Sequence, residues 1–292
     1  MYEIIIVSYT HYYKGKHTNL GGPAQHLARY LGDRAYCVWQ PIPIGKSQWV
    51  YALLKVRDIF LVLLKHRPAK VFIGVEAINA LLGRLLGYHR VVYWNMDYSS
   101  NRGILWSFLD KLAIKYADEV WVLKDRGVSK QRVVTIGCWF NEIKKLPLSE
   151  IDNRGIVYIG LLEDMQGVGL LLEAFREMSD TRLTIIGTGK DENKYKKSAD
   201  WRVRFTGILS DEEAQEIMCR NAFGWAVYHP DNPTIKTTLP TKPMTYMSCG
   251  LVVIDKLPVN FENLEERREE VLRCAEKYDW SNIFSFIERR FM

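Results

Sequence analysis

The sequence has few cysteines, and no two of them stand at a spacing typical of metal ligands. The five are odd in number and scattered along the 292 residues, at Cys37, Cys138, Cys219, Cys249 and Cys274. Such a set argues against a disulfide framework and against a zinc site. Because free thiols are usual in reducing compartments, it also favours a cytoplasmic protein. The six histidines show no ligand spacing either, so we expect no metal site and no cofactor.

The chain also lacks a long uninterrupted hydrophobic run. Its most apolar stretch, residues 49–64, contains Lys55, Arg57 and Asp58, and is too short and too charged to span a bilayer. The first residues enter a short apolar segment, Tyr2 to Val7, which predicts a first strand. A signal peptide would show basic residues, a longer apolar core and a cleavage site of small residues.

Positive charge is unevenly distributed. Residues 1–150 hold 21 Lys and Arg against 11 Asp and Glu, whereas the remainder holds 19 against 23. A basic first half predicts an anionic partner: phosphate groups, an anionic membrane surface or nucleic acid. No helix-turn-helix, RNA-recognition or zinc pattern accompanies the charge, so we expect no nucleic-acid partner. A solvated lysine-rich surface is the plainer alternative.

Short runs rich in Val, Ile and aromatic residues alternate with helical patterns through the whole chain. This alternation predicts βαβ units and parallel sheets covered on both faces. The predicted strands are residues 3–8, 35–39, 71–74, 91–95, 119–123 and 133–136 in the first half, and 155–160, 182–186, 203–206, 224–228 and 252–254 in the second. The predicted helices are residues 23–31, 49–65, 103–116, 169–178, 211–220 and 242–249.

The pattern runs twice, on either side of a polar segment, Asn141–Asn153, that we interpret as a linker. The prediction is an α/β protein of two Rossmann-like, doubly wound domains facing each other across a cleft. The first domain spans residues 1–145 and the second 146–275, and a final helix in 276–292 crosses back to the first. In such sheets ligands bind beyond the carboxyl ends of the strands.

Two glycine pairs follow predicted strands. Gly21 and Gly22 precede a helix, where backbone amides approach an anion closely, although Gly-Gly before a helix is also an ordinary turn. Gly187 and Gly189 form a turn directly after the predicted strand 182–186. The third glycine of the dinucleotide fingerprint is missing there, so a dehydrogenase is not indicated.

The order of several motifs resembles the GT-B glycosyltransferases, in particular retaining family 4 (group 1). In the second half these are Val157-Tyr158-Ile159-Gly160 with Gly167 behind it, Leu183 to Gly189, Val203 to Gly207, and Pro240-Thr241-Lys242-Pro243 continuing to Ile254. In the first half they are Gly21-Gly22, Tyr93 to Tyr98 and Ala117 to Val122. Trp280 and the final helix resemble the closing segment of the family.

The resemblance implies a metal-independent, hexosyltransferase-like enzyme that moves a sugar from a nucleotide-sugar donor to a carbohydrate or lipid-linked acceptor with retention. It implies that most donor contacts lie in the second domain and that the acceptor lies in the first. The implied donor-binding positions are Gly21, Gly22, Gly160, Gln166, Gly187, Gly189, Gly207, Thr237, Lys242 and Thr245.

The sequence departs from the family at its charged donor positions. The family's Arg falls at Leu161 or Leu162 and its Lys at Gln166, and the two family glutamates fall at Thr237 and Thr245. Two explanations stay open: an unusual donor, or a catalytically inactive carbohydrate- or partner-binding protein. Lys242 is the candidate replacement for the lost phosphate contact.

Asp97 is the candidate catalytic or acceptor-orienting carboxylate, because it follows the strand Val91–Asn95. A helix N-cap or turn role is equally open. The segment Trp49–Arg67 is apolar and ends in a basic cluster. It is either a core helix or a surface that lies on an anionic membrane, which would make the protein peripheral on the inner membrane face.

Overall fold

The computed structural model describes residues 3–13, 16–17, 23–42, 57, 60, 69–96, 103–125, 127–134, 137–138, 140, 143–232 and 240–291. Its strands are β1 (Ile4–Tyr13), β2 (Lys16–His17), β3 (Ala35–Ile42), β4 (Val71–Val75), β5 (Val91–Asn95), β6 (Glu119–Val122), β7 (Gln131–Val133), β8 (Asp152–Ile159), β9 (Arg182–Ile186), β10 (Val203–Gly207), β11 (Asn221–Trp225) and β12 (Val252–Ile254). Its α-helices are α1 (Pro23–Leu31), α2 (Ala77–Leu85), α3 (Ile104–Tyr116), α4 (Val168–Phe175), α5 (Glu192–Ser198), α6 (Asp211–Cys219), α7 (Thr241–Met247), α8 (Leu264–Lys277) and α9 (Trp280–Phe291).

These elements form two compact units. The first contains Met1–Ile136 and Trp280–Met292, and the second contains Gly137–Lys236 and Pro240–Asp279. The chain thus changes unit nine residues ahead of the boundary expected from the sequence and returns at Trp280. The predicted α/β class with two doubly wound units is confirmed by the two sheets.

The first unit is built on a parallel sheet in the order β3-β1-β4-β5-β6-β7, with the short β2 antiparallel to the end of β1. All residues of β4, β5 and β6 are buried. Continuous burial is expected of parallel strands that helices cover on both faces, and it explains why Val, Ile and aromatic residues dominate them. Helices α2 and α3 contribute to the core on one face, and α1 and α9 contribute to the core on the other.

The terminal helix α9 is tied to this unit by packing and by charge. Phe284 is fully buried, and Trp280 stacks on His26 of α1 at 4.6 Å between ring centroids. At the other end of the helix, Nε of Arg290 donates to the buried carboxylate of Glu119 at 2.8 Å, and Arg132 donates to the same carboxylate at 2.9 Å. The helix therefore completes the core of a unit whose other described residues precede it by more than a hundred positions.

The second unit contains a five-stranded parallel sheet in the order β10-β9-β8-β11-β12. The chain first adds strands on one side of β8 and then returns to add β11 and β12 on the other side. Helix α6 begins with a capping box, in which Ser210 and Glu213 each bond the other's backbone amide. One core lies under α4 and α5, and another lies under α6 and α7.

Several element predictions need correction. The expected linker ends too late, because its last residues, Asp152 and Asn153, already belong to β8. The strand predicted at 224–228 lies three residues earlier, since the apolar run continues past the point where pairing with β8 ends. Helices α2, α5 and α8 were missed, and the helix predicted at 49–65 lies outside the described residues apart from Arg57 and Phe60.

Candidate functional site

The order of the second sheet locates its binding edge. Strands β8 and β11 are neighbours, but the connections that leave them run in opposite directions across the sheet. At such a topological switch point the loops separate and leave a crevice beyond the carboxyl ends of the strands. The residues that line this crevice are expected to be those that follow Ile159 of β8 and Trp225 of β11.

Tyr246 of α7 bridges the ends of β8 and β11 at this point. Its hydroxyl accepts a hydrogen bond from the backbone N–H of Ile159 at 3.1 Å and donates to the carbonyl of Trp225 at 2.8 Å. The ring lies directly on Gly224, where any Cβ would fall inside van der Waals contact. Full burial raises the pKa of the Tyr246 hydroxyl, so it serves as a neutral bridge.

Lys242, one turn earlier on α7, places its ammonium group over the switch point. Its Nζ lies 3.3 Å from the hydroxyl oxygen of Tyr158 in β8 and 3.3 Å from the carbonyl oxygen of Gln166. It also lies over the rings of Tyr158 and Tyr228, at 4.4 and 4.1 Å from their centroids. Three segments, β8, the turn after it and the segment after β11, therefore converge on one cation.

Burial controls the charge of this lysine. Only 6% of Lys242 is exposed, and loss of hydration lowers the pKa of its ammonium to about 7. Burial also raises the pKa of Tyr228 to about 12, so the hydroxyl beside the lysine stays protonated. Among the described residues, no carboxylate is bonded to Nζ. An anion that reaches this place would restore the positive charge that burial disfavours.

The glycines after β8 and β9 lie in turns that approach each other closely. A side chain at Gly187 would collide with the carbonyl oxygen of Gly160, and one at Gly189 would collide with the backbone of Leu162. At Gly160 a Cβ would come within 3.1 Å of Cε of Lys242. Gly207 has a φ of +74° and open space around it. Close approach of the turns thus accounts for glycine at 187 and 189 without a ligand.

Neighbouring residues of the turn after β8 differ in their exposure to solvent. Leu161 is 55% exposed, whereas Leu162 is fully buried in the core. Of the two positions matched to the missing family arginine, only Leu161 therefore faces solvent. Gln166 ends a short 3₁₀ turn, Asp164–Gln166, and directs its carbonyl to Lys242.

Thr245 lies on α7 between Lys242 and Tyr246 and is 5% exposed. Its hydroxyl donates to the carbonyl of Thr241 at 3.0 Å, one helical turn back. Its role as a ribose contact stays a prediction. Asp97, Gly21, Gly22 and Thr237 lie outside the described residues.

The described structure thus brings together Gly160, Gln166 and Lys242, with Gly187 and Gly207 beside them. Sequence reasoning missed Tyr158 and Tyr228, which hold the lysine. The available signal was a tyrosine within the otherwise aliphatic residues 156–159 of β8 and another at the end of the run after β11. Within the described ranges, no group of three or more His, Cys, Asp or Glu side chains is placed to hold a metal ion.

Comparison with known proteins finds one family-model match and several solved structures of similar fold. Residues 153–272 match the family model of glycosyl transferases group 1. No curated protein matches the sequence. Sucrose-phosphate synthase from Thermosynechococcus elongatus resembles the chain with a TM-score of 0.63 and 13% identity, over 100% of this chain and 94% of that one.

Two further solved structures resemble the chain along its length. Anabaena HepE, solved with UDP and glucose, gives a TM-score of 0.60 at 14% identity, over 99% of this chain and 96% of that one. An alpha-glucosyltransferase, solved with UDP and a 13-mer DNA containing a HMU base, gives 0.53 at 12% identity, over 99% and 98%. Residues 153–272 thus resemble glycosyl transferases group 1, and the chain has the fold of the GT-B glycosyltransferases.

Proposed function

We propose that this protein transfers a sugar from a nucleoside-diphosphate sugar to an acceptor hydroxyl, and that Lys242 contacts the diphosphate. The observation that carries the proposal is the position of the Lys242 ammonium at the switch point of the region that resembles group 1. The solved relatives that hold UDP support a uridine nucleotide as the first donor to test.

Sugar transfer from a nucleoside diphosphate requires the protein to stabilise charge more than to supply a nucleophile. The acceptor hydroxyl attacks the anomeric carbon, the bond from that carbon to the diphosphate breaks, and the hydroxyl proton passes to the departing phosphate. Negative charge grows on the leaving group, and a fixed cation in a poorly hydrated site stabilises it strongly. We propose that this role falls to Lys242, that no metal takes part, and that the reaction retains anomeric configuration as in family 4.

Calorimetry with UDP tests the donor site. Lys242 is largely neutral at pH 8 in the free protein, because its pKa is about 7. A bound diphosphate would draw a proton onto it, so UDP binding at that pH should take up close to one proton. Titrations in two buffers with different ionisation enthalpies measure this uptake. Lys242→Met should abolish both the uptake and most of the affinity, whereas Lys197→Met removes an exposed lysine of the same unit and should change neither.

No binding of UDP or of other nucleoside diphosphates by the wild type would refute the donor site. Binding that is unaffected by Lys242→Met would refute only the role of the lysine. We further propose Asp97 as the acceptor-side carboxylate and Gly21, Gly22 and Thr237 as donor contacts. Asp97→Asn should abolish transfer while UDP affinity stays unchanged.

A second candidate is a glycosyltransferase-like protein that binds a carbohydrate or partner without turnover. Uncharged side chains favour it, since Leu161, Gln166 and Thr245 stand where the family carries an arginine, a lysine and a glutamate. A protein that binds UDP yet neither hydrolyses UDP-sugars nor transfers from them to carbohydrate or lipid-linked acceptors would fit this candidate and contradict the enzyme.

We also propose that the protein acts in the cytoplasm, with its first unit against an anionic membrane. Helix α3 supports this, because Ile104 is 92% and Phe108 is 56% exposed, and Lys111 and Lys115 follow on the exposed side. Apolar side chains beside lysines suit an anionic lipid surface. No helix in the described part of the chain is long and apolar enough to cross a bilayer.

Vesicle sedimentation tests the membrane contact. The protein should sediment with phosphatidylglycerol vesicles at low salt and be released as salt rises, because screening shortens the range of exposed charges to about 8–10 Å near physiological ionic strength. Phe108→Ser should weaken sedimentation. Equal behaviour with neutral and anionic vesicles would refute the contact.

A further inference from the structure

A basic pocket lies at the amino ends of β6 and β7, on the edge of the first sheet opposite the carboxyl ends of the strands. Its volume is about 350 Å³, and it is lined by Asp118, Glu119, Lys130, Gln131, Arg132 and Arg290. The first five residues lie at the starts of two neighbouring strands, whereas Arg290 comes from the last turn of α9. The packing of α9 on the sheet therefore creates the pocket, and no local sequence pattern marks it.

The two acidic residues of the pocket already hold cationic partners. Asp118 accepts a hydrogen bond from Nη2 of Arg84 at 2.5 Å. The side chain of Glu119 is 5% exposed, and its carboxylate accepts from Nε of Arg132 at 2.9 Å and from Nε of Arg290 at 2.8 Å. One carboxylate is thus shared by two arginines, so it balances only one of their two positive charges.

The two arginines keep most of their donors for another partner. Each uses Nε for Glu119, and neither donates a hydrogen bond through its Nη atoms to any residue that the structure describes. Their side chains are 33% and 45% exposed, so the Nη atoms are accessible. The guanidinium of Arg132 also lies over the ring of Phe286, at 4.3 Å from the centroid. A guanidinium held in this way loses little conformational freedom when its remaining N–H groups bind a second oxyanion.

Lys130 adds a third cation to the lining. Its Nζ donates to the carbonyl of Ala117, a neutral group, at 3.1 Å. Against these three cations stands one carboxylate, because the other acidic residue of the pocket is neutralised by Arg84. Among the described side chains, two positive charges are therefore left without a counter-ion. Like charges held around one pocket repel each other, and a bound anion would remove that repulsion.

The backbone of Lys130 is held in an unusual conformation beside the pocket. Its φ of +63° lies in the left-handed region, which residues other than glycine seldom adopt. Its carbonyl oxygen accepts from the N–H of Val120 at 3.0 Å, where the pairing of β6 with β7 begins. The sheet therefore holds the lysine in place, and backbone strain of this kind is concentrated at functional sites.

We propose that the pocket binds a phosphate group in its dianionic form. Two negative charges match the two uncompensated positive charges, and phosphate oxygens accept hydrogen bonds from the Nη groups of Arg132 and Arg290 and from the ammonium of Lys130. Lipid headgroups and soluble phosphate esters share this chemistry, because a terminal phosphate of either enters the pocket while the rest of the molecule stays outside. The proposal does not depend on the proposed sugar transfer.

Calorimetric titration with inorganic phosphate at pH 8 tests the site, because phosphate is mainly a dianion there. Lys242→Met serves as the starting protein, so that the proposed donor site does not contribute. We expect one phosphate per chain with a dissociation constant of about 1 mM or below at constant ionic strength. Adding Lys130→Met should weaken binding at least about fivefold, because it removes a cation and leaves both bonds to Glu119 intact. Adding Lys124→Met removes an exposed lysine beyond the carboxyl end of β6 and should change nothing.

Two comparisons identify the molecule that carries the phosphate group. Vesicles with phosphatidic acid present an exposed phosphomonoester, and phosphatidylglycerol vesicles of matched surface charge do not. A preference for phosphatidic acid in sedimentation, abolished by Lys130→Met and kept by Phe108→Ser, would assign a lipid headgroup. Binding of glycerol phosphate in calorimetry without any preference between vesicles would assign a soluble ester.

A second variant covers the case in which Lys130→Met does not fold. Arg132→Lys keeps the charge but removes the paired N–H groups, and it should weaken phosphate binding at least about threefold. The proposal is overturned if no phosphate binds up to about 10 mM. It is also overturned if Lys130→Met and Lys124→Met weaken binding equally, because that result would show only a non-specific attraction to positive charge.

Discussion

Replacing Lys242 by methionine should change how the stability of the protein depends on pH. The wild-type lysine is 6% exposed, and burial lowers its pKa from 10.5 to about 7. In the unfolded chain the same lysine holds its proton up to its ordinary pKa. Between about pH 7 and pH 10.5, unfolding therefore takes up a proton, and the free energy of unfolding rises with pH. Below pH 7 both states are protonated, and the cost of the buried ammonium is fully present.

The size of the effect follows from the proton count. One proton taken up on unfolding gives a slope of about 1.4 kcal/mol per pH unit. Between pH 8.0 and 9.5 the wild type should therefore gain about 2 kcal/mol relative to Lys242→Met. Methionine keeps most of the apolar stem and has no titrating group, so the variant should be the more stable protein below pH 7.

Urea unfolding measures this difference. Wild type, Lys242→Met and the surface control Lys197→Met are unfolded at several pH values, and midpoints are compared at unchanged slope with denaturant. Other groups titrate in this range, but they are common to all three proteins and cancel in the comparison. Parallel stability curves for wild type and Lys242→Met would refute the buried, deprotonated lysine on which the donor-site reasoning depends.

Three further outcomes are expected. Glu119→Gln should destabilise the protein by about 1–2 kcal/mol in urea unfolding, because two partly exposed arginines lose the buried carboxylate to which both donate; a loss below about 0.5 kcal/mol would show that the charge is dispensable. Gly187→Ala should lower the thermal midpoint more than Gly207→Ala, since the methyl group meets backbone at 187 and open space at 207. Equal losses would mean that the positive φ at both positions, and not the close contact, determines the loss of stability. Leu161→Arg combined with Gln166→Lys should raise the affinity for UDP, measured by calorimetry, at least about tenfold, because each charge-assisted contact contributes about 1.5–3 kcal/mol. An unchanged affinity would mean that the diphosphate does not bind beside these two positions.

The sequence by itself determined the fold class, because alternating strand and helix patterns are local. Parallel strands such as β5 and β9 are short, mostly apolar runs, and their predicted bounds agree with the structure. The glycine turns at Gly160 and Gly187 were also visible, since each follows such a run. Charge asymmetry follows from residue types alone, whereas the missing family cations follow from the resemblance of the motifs to the family.

Tertiary structure decided everything that depends on contact between distant segments. The sequence marks Lys242 as a lysine near a proline, but only the approach of Tyr158, 84 residues earlier, buries it and changes its charge. Likewise, 171 residues separate Glu119 from Arg290, and no local pattern pairs them. Burial and electrostatic shifts come from neighbours in space, and the strand order that supplies those neighbours is set by packing of the whole unit.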